Sequence, residues 1–308
     1  MSVAVAGRRA LALPTAIAIA LGGALAVQSY VNGRLAQSLG SPELAAAVNN
    51  AVGLIALGAI ATAIGAIPRA LRAWPGVRPW YLLGGLGGAM YVMAGAWGAP
   101  EVGVALLSVA LVCGQTAGSL AADGFGLSPA GRQPVTAGRV AGVALTIAAV
   151  VASALGARAH PHFAVLAFTV VAGVATALQQ AANGHLARVT GEPFFAGAVN
   201  FAVGFVALLA IAAIVTSLSA PHGWSGPPLE YLGGLIGATI ATTMAVIVSR
   251  LGVLRLILAM TAGQAIGGLG LDLIAPARGE VVTAGTIIGV ALACAAVLVS
   301  GRGSRSPT

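Results

Sequence analysis

Charged residues are scarce in this chain of 308 residues. Only 7% of the positions are charged and 58% are hydrophobic, whereas a soluble domain is about 25% charged. Long apolar runs with hardly a charge recur along the whole length, which excludes an ordinary soluble protein and indicates that lipid surrounds the chain. The formal net charge of +8 does not indicate nucleic-acid binding, because the arginines lie between apolar segments rather than on one face.

Groups that carry catalytic or metal chemistry are equally scarce. Cys113 and Cys294 both lie inside apolar segments, where we interpret them as packed small hydrophobic side chains. The sequence has no CxxC motif and no histidine cluster, so it supports neither a metal site nor a cofactor. It also lacks HExxH, GxSxG and G-x4-G-K-[ST] motifs, and we therefore expect neither an enzyme nor a protein that couples to ATP.

An internal repeat is the most informative feature that is present. Residues 28–53 and 179–204 align without a gap, and 14 of the 26 positions are identical. A second stretch, which contains Gly114-Gln115 and Asp123, returns 149 residues later as Gly263-Gln264 and Asp272. A duplicated membrane unit of this size is typical of a transporter core. We therefore divide the chain into residues 1–157 and 158–308, which form two repeats of one integrated membrane domain.

The hydrophobic pattern predicts an all-α membrane protein with ten transmembrane helices. Each helix has about 20 residues, enough to cross roughly 30 Å of hydrocarbon. Five helices per repeat is an odd number, so the second repeat should enter the membrane upside down relative to the first. The predicted helices span 13–36, 43–67, 79–98, 102–122, 136–156, 162–187, 193–217, 229–249, 252–272 and 282–301.

The arginines predict the orientation of these helices. With ten spans, 12 arginines lie on the side that holds both termini, and three, Arg34, Arg158 and Arg278, lie on the other. The positive-inside rule then places both termini in the cytoplasm. All 15 basic residues are arginine; together with the excess of alanine, glycine and valine, this is typical of a bacterial protein from a high-GC genome. The expected location is the bacterial inner membrane.

The few polar residues inside the spans have two possible roles. Burying an amide without a partner costs a few kcal/mol, so these side chains should face a partner or water rather than lipid. They could line a substrate cavity between the repeats, or they could form hydrogen bonds that hold the helices together. The candidate cavity residues are Gln28, Asn32, Gln115, Gln179, Asn183, Gln264, Tyr91 and Trp97.

For a second set, helix packing is the preferred interpretation. Asn49 and Asn200 each have a glycine one turn away, which indicates close helix contact. Two GxxxG patterns occur at matched positions of the two repeats and permit the same close approach. The residues assigned to packing are Asn49, Gly53, Asn200, Gly204, Gly84, Gly88, Gly233 and Gly237.

Two aspartates end the polar stripes of the predicted fourth and ninth helices. We interpret Asp123 and Asp272 as either solvated caps or gating or proton-coupling carboxylates. If they are gates, pseudo-symmetry suggests one acid–base pair at each membrane face: Asp123 with His185 and Arg188, and Asp272 with Arg34.

These motifs resemble a known family. Q-x3-N-G-x-L, G-x-P and N-x3-G in the first two helices, with G-Q and a later Asp in the fourth, are similar to the YdcZ-like inner-membrane exporters of the drug/metabolite transporter superfamily. The resemblance covers both halves of the chain and implies a small-molecule transporter fold with inverted repeats. The more distant small multidrug exporters use a glutamate in the middle of their first helix, and this chain has no acidic residue at the corresponding positions.

The leading functional hypothesis is a secondary transporter, an exporter of a small neutral or amphiphilic metabolite. The alternative is a flippase for a lipid or polyisoprenoid carrier, and a scaffold without transport is a third. The expected partners are the lipid bilayer and a small-molecule substrate, with no nucleic acid. Both a monomer and a homodimer are compatible with the sequence.

Overall fold

The computed structural model describes residues 2–129, 131–156, 163–218, 224, 226–251, 253–276 and 282–302. Arg158, Arg278 and Arg305, three of the arginines behind the predicted orientation, lie outside these ranges. Helices and short 3-10 turns are the only regular secondary structure in the described part. The helices are α1 Ser2–Leu39, α2 Pro42–Ala63, α3 Ala66–Arg72, α4 Gly84–Gly124, α5 Ala137–Gly156, α6 Phe163–Thr190, α7 Pro193–Leu218, α8 Gly233–Leu251, α9 Val253–Ile274 and α10 Ala284–Arg302.

The long helix α4 contains two of the predicted spans. Gly103 has φ 76° and ψ 161°, values that a residue with a side chain rarely adopts, and it separates a first arm (84–102) from a second arm (104–124). Both arms lie against the same stretch of α6: Gly87 faces Ala175, and Gly118 faces Ala177. The chain therefore reverses direction at Gly103, a few residues after the predicted connection at 99–101.

The all-α, multi-span prediction is confirmed. Seven helical segments of the described chain are long and apolar enough to cross a membrane, and α10 contributes a shorter apolar segment, Ala284–Ser300. With α4 counted as two arms, and α3 set aside as a short connecting helix of seven residues, the described chain has ten longer helices. The short helix α3 is absent from the predicted helices.

Helices of the two repeats pack against one another in matched pairs. α1 packs on α9 as α6 packs on α4, while α2 packs on α7 and α5 on α10. The individual contacts are also reciprocal. Gly263 of α9 lies against the carbonyl of Ile19 in α1, and Gly114 of α4 lies against the carbonyl of Val170 in α6. Because neither glycine has a side chain, the helix backbones touch directly, as small residues allow in membranes.

The contact between α5 and α10 shows the same reciprocity. Gly142 of α5 meets Ser300 of α10, and Gly289 of α10 meets Ser153 of α5. Each glycine is separated from its counterpart by 147 residues, as are the two serines. At this interface, a glycine of each helix contacts a serine of the other helix. Reciprocal contacts of this kind are typical of an interface with a two-fold axis.

Candidate functional site

A first amide cluster, formed by Gln28, Asn32 and Asn49, joins α1 to α2. Gln28 Nε2 donates to Asn49 Oδ1 at 3.2 Å, and all three side chains are buried. Gly233 of α8 lies directly against the Asn32 and Asn49 amides, and Gly237 lies against Gln28. The missing side chains at the two glycines thus make room for the polar cluster of the other repeat.

A second amide cluster, formed by Gln179, Asn183 and Asn200, repeats this arrangement between α6 and α7. Gln179 Nε2 donates to Asn200 Oδ1 at 3.0 Å, and Asn183 Nδ2 donates to the same oxygen at 3.2 Å. Gly84 and Gly88 of α4 lie against these amides. Unlike their buried counterparts in the first cluster, Gln179 and Asn183 are half-buried.

The hydrogen bonds of both amide clusters stay within one repeat, because a tight turn places the paired helices α1 and α2, or α6 and α7, side by side. The other repeat supplies a glycine surface instead. Gly53 and Gly204 also form close helix contacts, with the ring of Phe201 and the carbonyl of Gly85 respectively.

The remaining candidate cavity residues lie in three different surroundings. Gln264 is buried and donates to the hydroxyl of Tyr91 at 3.2 Å. Its counterpart Gln115 is half-buried, and no hydrogen bond involves its side chain within the described chain. Trp97 packs on the ring of Phe168, with the centroids 5.7 Å apart.

One end of the bundle, which we call the Arg34 end, gathers the end of α1, the bend of α4 and the end of α9. A cleft there is lined by Tyr30, Arg34, Pro100 and Pro276 among others. Asp272 and Arg34 do not form an ion pair in the described part of the structure. Its two carboxylate oxygens accept hydrogen bonds from the backbone N–H groups of Val104 and Ala105, each at 2.8 Å.

The partner of Arg34 is Glu230, in the 3-10 turn Pro228–Leu232 that precedes α8. Arg34 Nε lies 3.4 Å from Glu230 Oε1, and Ser38 Oγ donates to Glu230 Oε2 at 2.6 Å. Glu230 is buried, with 7% of its surface exposed. The predicted pair of Arg34 with Asp272 is therefore wrong: the end of α1 faces the turn before α8, while the end of α9 faces the bend of α4.

The opposite end, which we call the His185 end, also differs from the predicted pairing. Asp123 forms an ion pair with Arg139 of α5 at 2.5 Å. His185 Nε2 lies 3.1 Å from the carbonyl oxygen of Leu127, and Arg188 donates to the carbonyl oxygen of Pro129. The connection between α4 and α5 thus covers the end of α6, and its carbonyl groups occupy the basic side chains that we had paired with Asp123.

An exposed ion pair joins the repeats at the His185 end as well. Arg69 of α3 forms a bidentate pair with Glu192, the residue just before α7. The hydrogen bond from Arg69 lowers the pKa of Glu192, and the same bond raises the pKa of Arg69. Because the folded-state pKa of Glu192 is depressed, the pair stabilises the fold at neutral pH, and this contribution is lost as the pH falls through that lowered pKa.

Three partners at the two ends were not among the predicted site residues: Glu230, Tyr81 and Arg139. Tyr81 belongs to the 3-10 turn Pro79–Tyr81, and its ring stacks on His185 with the centroids 5.1 Å apart. The sequence contains one indication that the two 3-10 turns are equivalent. Pro79 and Pro228 are 149 residues apart, which is the offset of the surrounding repeat. Among the described residues, no group of three or more His, Cys, Asp or Glu side chains could hold a metal ion.

Comparison with known proteins places this architecture in a family. The family model described as "Putative inner membrane exporter, YdcZ" matches residues 13–152 and again residues 164–299. A solved structure described as a crystal structure of a protein covers 93% of this chain and 94% of its own, with 20% identity and a TM-score of 0.55, a likeness that shows the fold alone. No curated protein matches the chain. The two-part match covers nearly the whole sequence, and the chain belongs to the YdcZ family of inner-membrane exporters, of the drug/metabolite transporter type.

Proposed function

We propose that this protein is a secondary exporter that works by alternating access between two inverted five-helix repeats. The reciprocal contacts between the repeats are the observation that carries the proposal. An assembly built from two equivalent halves has two related arrangements, one open to each side of the membrane. The close helix contacts at Gly263 and Gly114 would be kept in both arrangements, while the two ends of the bundle open and close in turn.

The substrate that fits this interior is small and neutral or amphiphilic. The polar side chains of the two amide clusters are uncharged, and Gln264 and Tyr91 add one further amide and a hydroxyl. The carboxylates of Asp123 and Asp272 are already engaged by Arg139 and by backbone N–H groups. Gln115, Gln179 and Asn183 are half-buried, and they are the amides that we assign to substrate contact.

The first test concerns the inverted topology. With both termini in the cytoplasm, reporter fusions after residues 40, 75, 190 and 222 should report outside, inside, inside and outside, because the 12-to-3 arginine asymmetry orients the first repeat and its odd helix number inverts the second. An outside signal at residue 75 would exclude the proposed arrangement.

The second test concerns the substrate site. A ligand that binds the folded protein raises its apparent melting temperature by mass action. Purified protein should therefore be screened by thermal shift against neutral polyols, amides and amphiphilic metabolites. We expect a shift of a few degrees for a member of one class, and we expect Gln115→Ala to abolish it without lowering the melting temperature of the free protein. Gln180→Ala, which changes an exposed glutamine on α6, is the matched control. Equal shifts in both variants would contradict the assignment of Gln115.

A further inference from the structure

At each end of the bundle, a 3-10 turn contacts a helix of the other repeat. The turns Pro79–Tyr81 and Pro228–Leu232 begin at prolines 149 residues apart. Tyr81 and Glu230 are the third residues of these turns, and each lies three residues before the matched glycines Gly84 and Gly233. The two residues therefore occupy equivalent positions, although one is aromatic and the other is acidic.

Their contact partners are equivalent as well. Arg34 on α1 and His185 on α6 are 151 residues apart, which is the offset of the aligned segments 28–53 and 179–204. Arg34 pairs with Glu230, and His185 stacks on Tyr81 with an angle of 4° between the ring planes. The repeat thus places one cross-repeat contact at each end of the molecule, at the same pair of positions, with different chemistry.

We propose that these two contacts are the gates of the transport pathway. The Arg34 gate consists of Arg34, Ser38 and Glu230, and the His185 gate consists of Tyr81 and His185. This inference rests on the proposed alternating-access function, which requires that one end opens while the other stays closed. It replaces Asp123 and Asp272 as gating residues, because their carboxylates do not connect α1 or α6 to the other repeat.

The contacts at each gate suit a closure that can be released. Glu230 is buried, but the side chain of Arg34 is 54% exposed, so its guanidinium is already largely in contact with water and can leave the pair. Gly226, in the loop before Glu230, lies against Ser38, so the whole turn rests on the end of α1. At the other end, Trp80 adds an edge contact to His185, with the centroids 5.1 Å apart. The half-exposed ion pair of Arg34 and Glu230 biases a conformational equilibrium and does not lock it.

A charge-swap experiment tests the Arg34 gate directly. Spin labels at Gln37→Cys and Leu229→Cys, two exposed positions that flank the gate, should be introduced after Cys113 and Cys294 are replaced by alanine. The distance between the two spin labels is then measured by pulsed electron paramagnetic resonance in lipid nanodiscs. Arg34→Glu places two carboxylates together, and we expect the ratio of long to short distances to rise roughly tenfold. The double variant Arg34→Glu/Glu230→Arg restores opposite charges and should return the ratio to that of the parent.

Two further variants separate this gate from general destabilisation. Glu192→Gln removes a carboxylate that is also paired with an arginine, but at the His185 end, and Tyr81→Ala removes the equivalent contact there. Neither variant should increase the ratio of long to short distances between the spin labels. If Arg34→Glu does not fold, the single variants Arg34→Gln and Glu230→Gln are measured instead. Each should also raise the ratio of long to short distances.

The outcomes distinguish the gate from the transport mechanism. If the parent shows two distance populations whose ratio Arg34→Glu does not change, or if the double variant fails to restore the ratio, the Arg34 gate is wrong while alternating access stands. If a single distance persists in the parent and in every variant, including with a thermal-shift ligand bound, both the gate and the alternating-access proposal are overturned.

Discussion

Replacing Gly263 by alanine should severely destabilise the protein, whereas replacing Gly270 on the same helix should not. A methyl group at Gly263 would overlap the carbonyl oxygen of Ile19, and no atom lies within 4 Å of a methyl group at Gly270. Overpacking costs about 1–3 kcal/mol where side chains can adjust. Here the obstacle is the backbone of α1, so we expect a loss at or above the upper end of that range.

The measurement is equilibrium unfolding in mixed detergent micelles, followed by far-ultraviolet circular dichroism. Gly270→Ala should be neutral or stabilising by up to about 1 kcal/mol, because alanine is the better helix former. Gly114→Ala, which would meet the carbonyl of Val170, should match the effect of Gly263→Ala since the two contacts are equivalent. Equal stabilities for Gly263→Ala and Gly270→Ala would show that α1 and α9 are not in direct backbone contact.

Hydropathy was sufficient to predict the long helices, although not the short helix α3, and the internal repeat was sufficient to predict which residues are equivalent. Gln28 with Asn49 and Gln179 with Asn200 make the same hydrogen bond in both halves, as expected if the alignment reflects shared structure. The reason is that membrane helices must satisfy their own backbone groups and keep apolar side chains toward lipid. Both requirements leave a periodic record in the sequence.

The partners of residues at the helix ends could not be predicted in this way. Arg34 and Glu230 are 196 residues apart along the chain, and their contact depends on which helices pack side by side. Pseudo-symmetry alone cannot identify the neighbouring helices. It shows which residues at the two ends are equivalent, but not which residue each of them contacts. The alignment therefore paired Arg34 with Asp272 at the correct end of the bundle, but it chose the wrong carboxylate.

The reversal at Gly103 was also hidden from the sequence. The predicted helices 79–98 and 102–122 imply a connection at 99–101, yet these residues remain helical and the bend occurs at Gly103. A proline can remain within the last turn of a helix, as Pro100 does in the first arm of α4, whereas a positive φ of 76° favours a residue without a side chain. The carboxylate of Asp272 then receives the first free N–H groups of the second arm of α4.

This arrangement makes Asp272→Ala the second large effect that we expect. Asp272 is buried and accepts from Val104 and Ala105, two donors that begin a helix and have no partner within it. Leaving buried donors without an acceptor, together with the loss of a helix cap, should cost about 2–3 kcal/mol. Gly103→Ala should be similarly harmful, since its added methyl group would lie 2.9 Å from a carboxylate oxygen of Asp272.

Asp123→Ala is the matched control for this prediction, because Asp123 is the repeat counterpart of Asp272. Its partner is the side chain of Arg139, and about a quarter of its own side chain is exposed. Both side chains of this pair are partly exposed, so water can replace the carboxylate as the partner of Arg139, and we expect a loss of about 1 kcal/mol, smaller than that of Asp272. The same unfolding measurement should therefore separate the two aspartates clearly. Equal losses would mean that Asp272 does not cap the second arm of α4, and that the reversal at Gly103 is stabilised by other contacts.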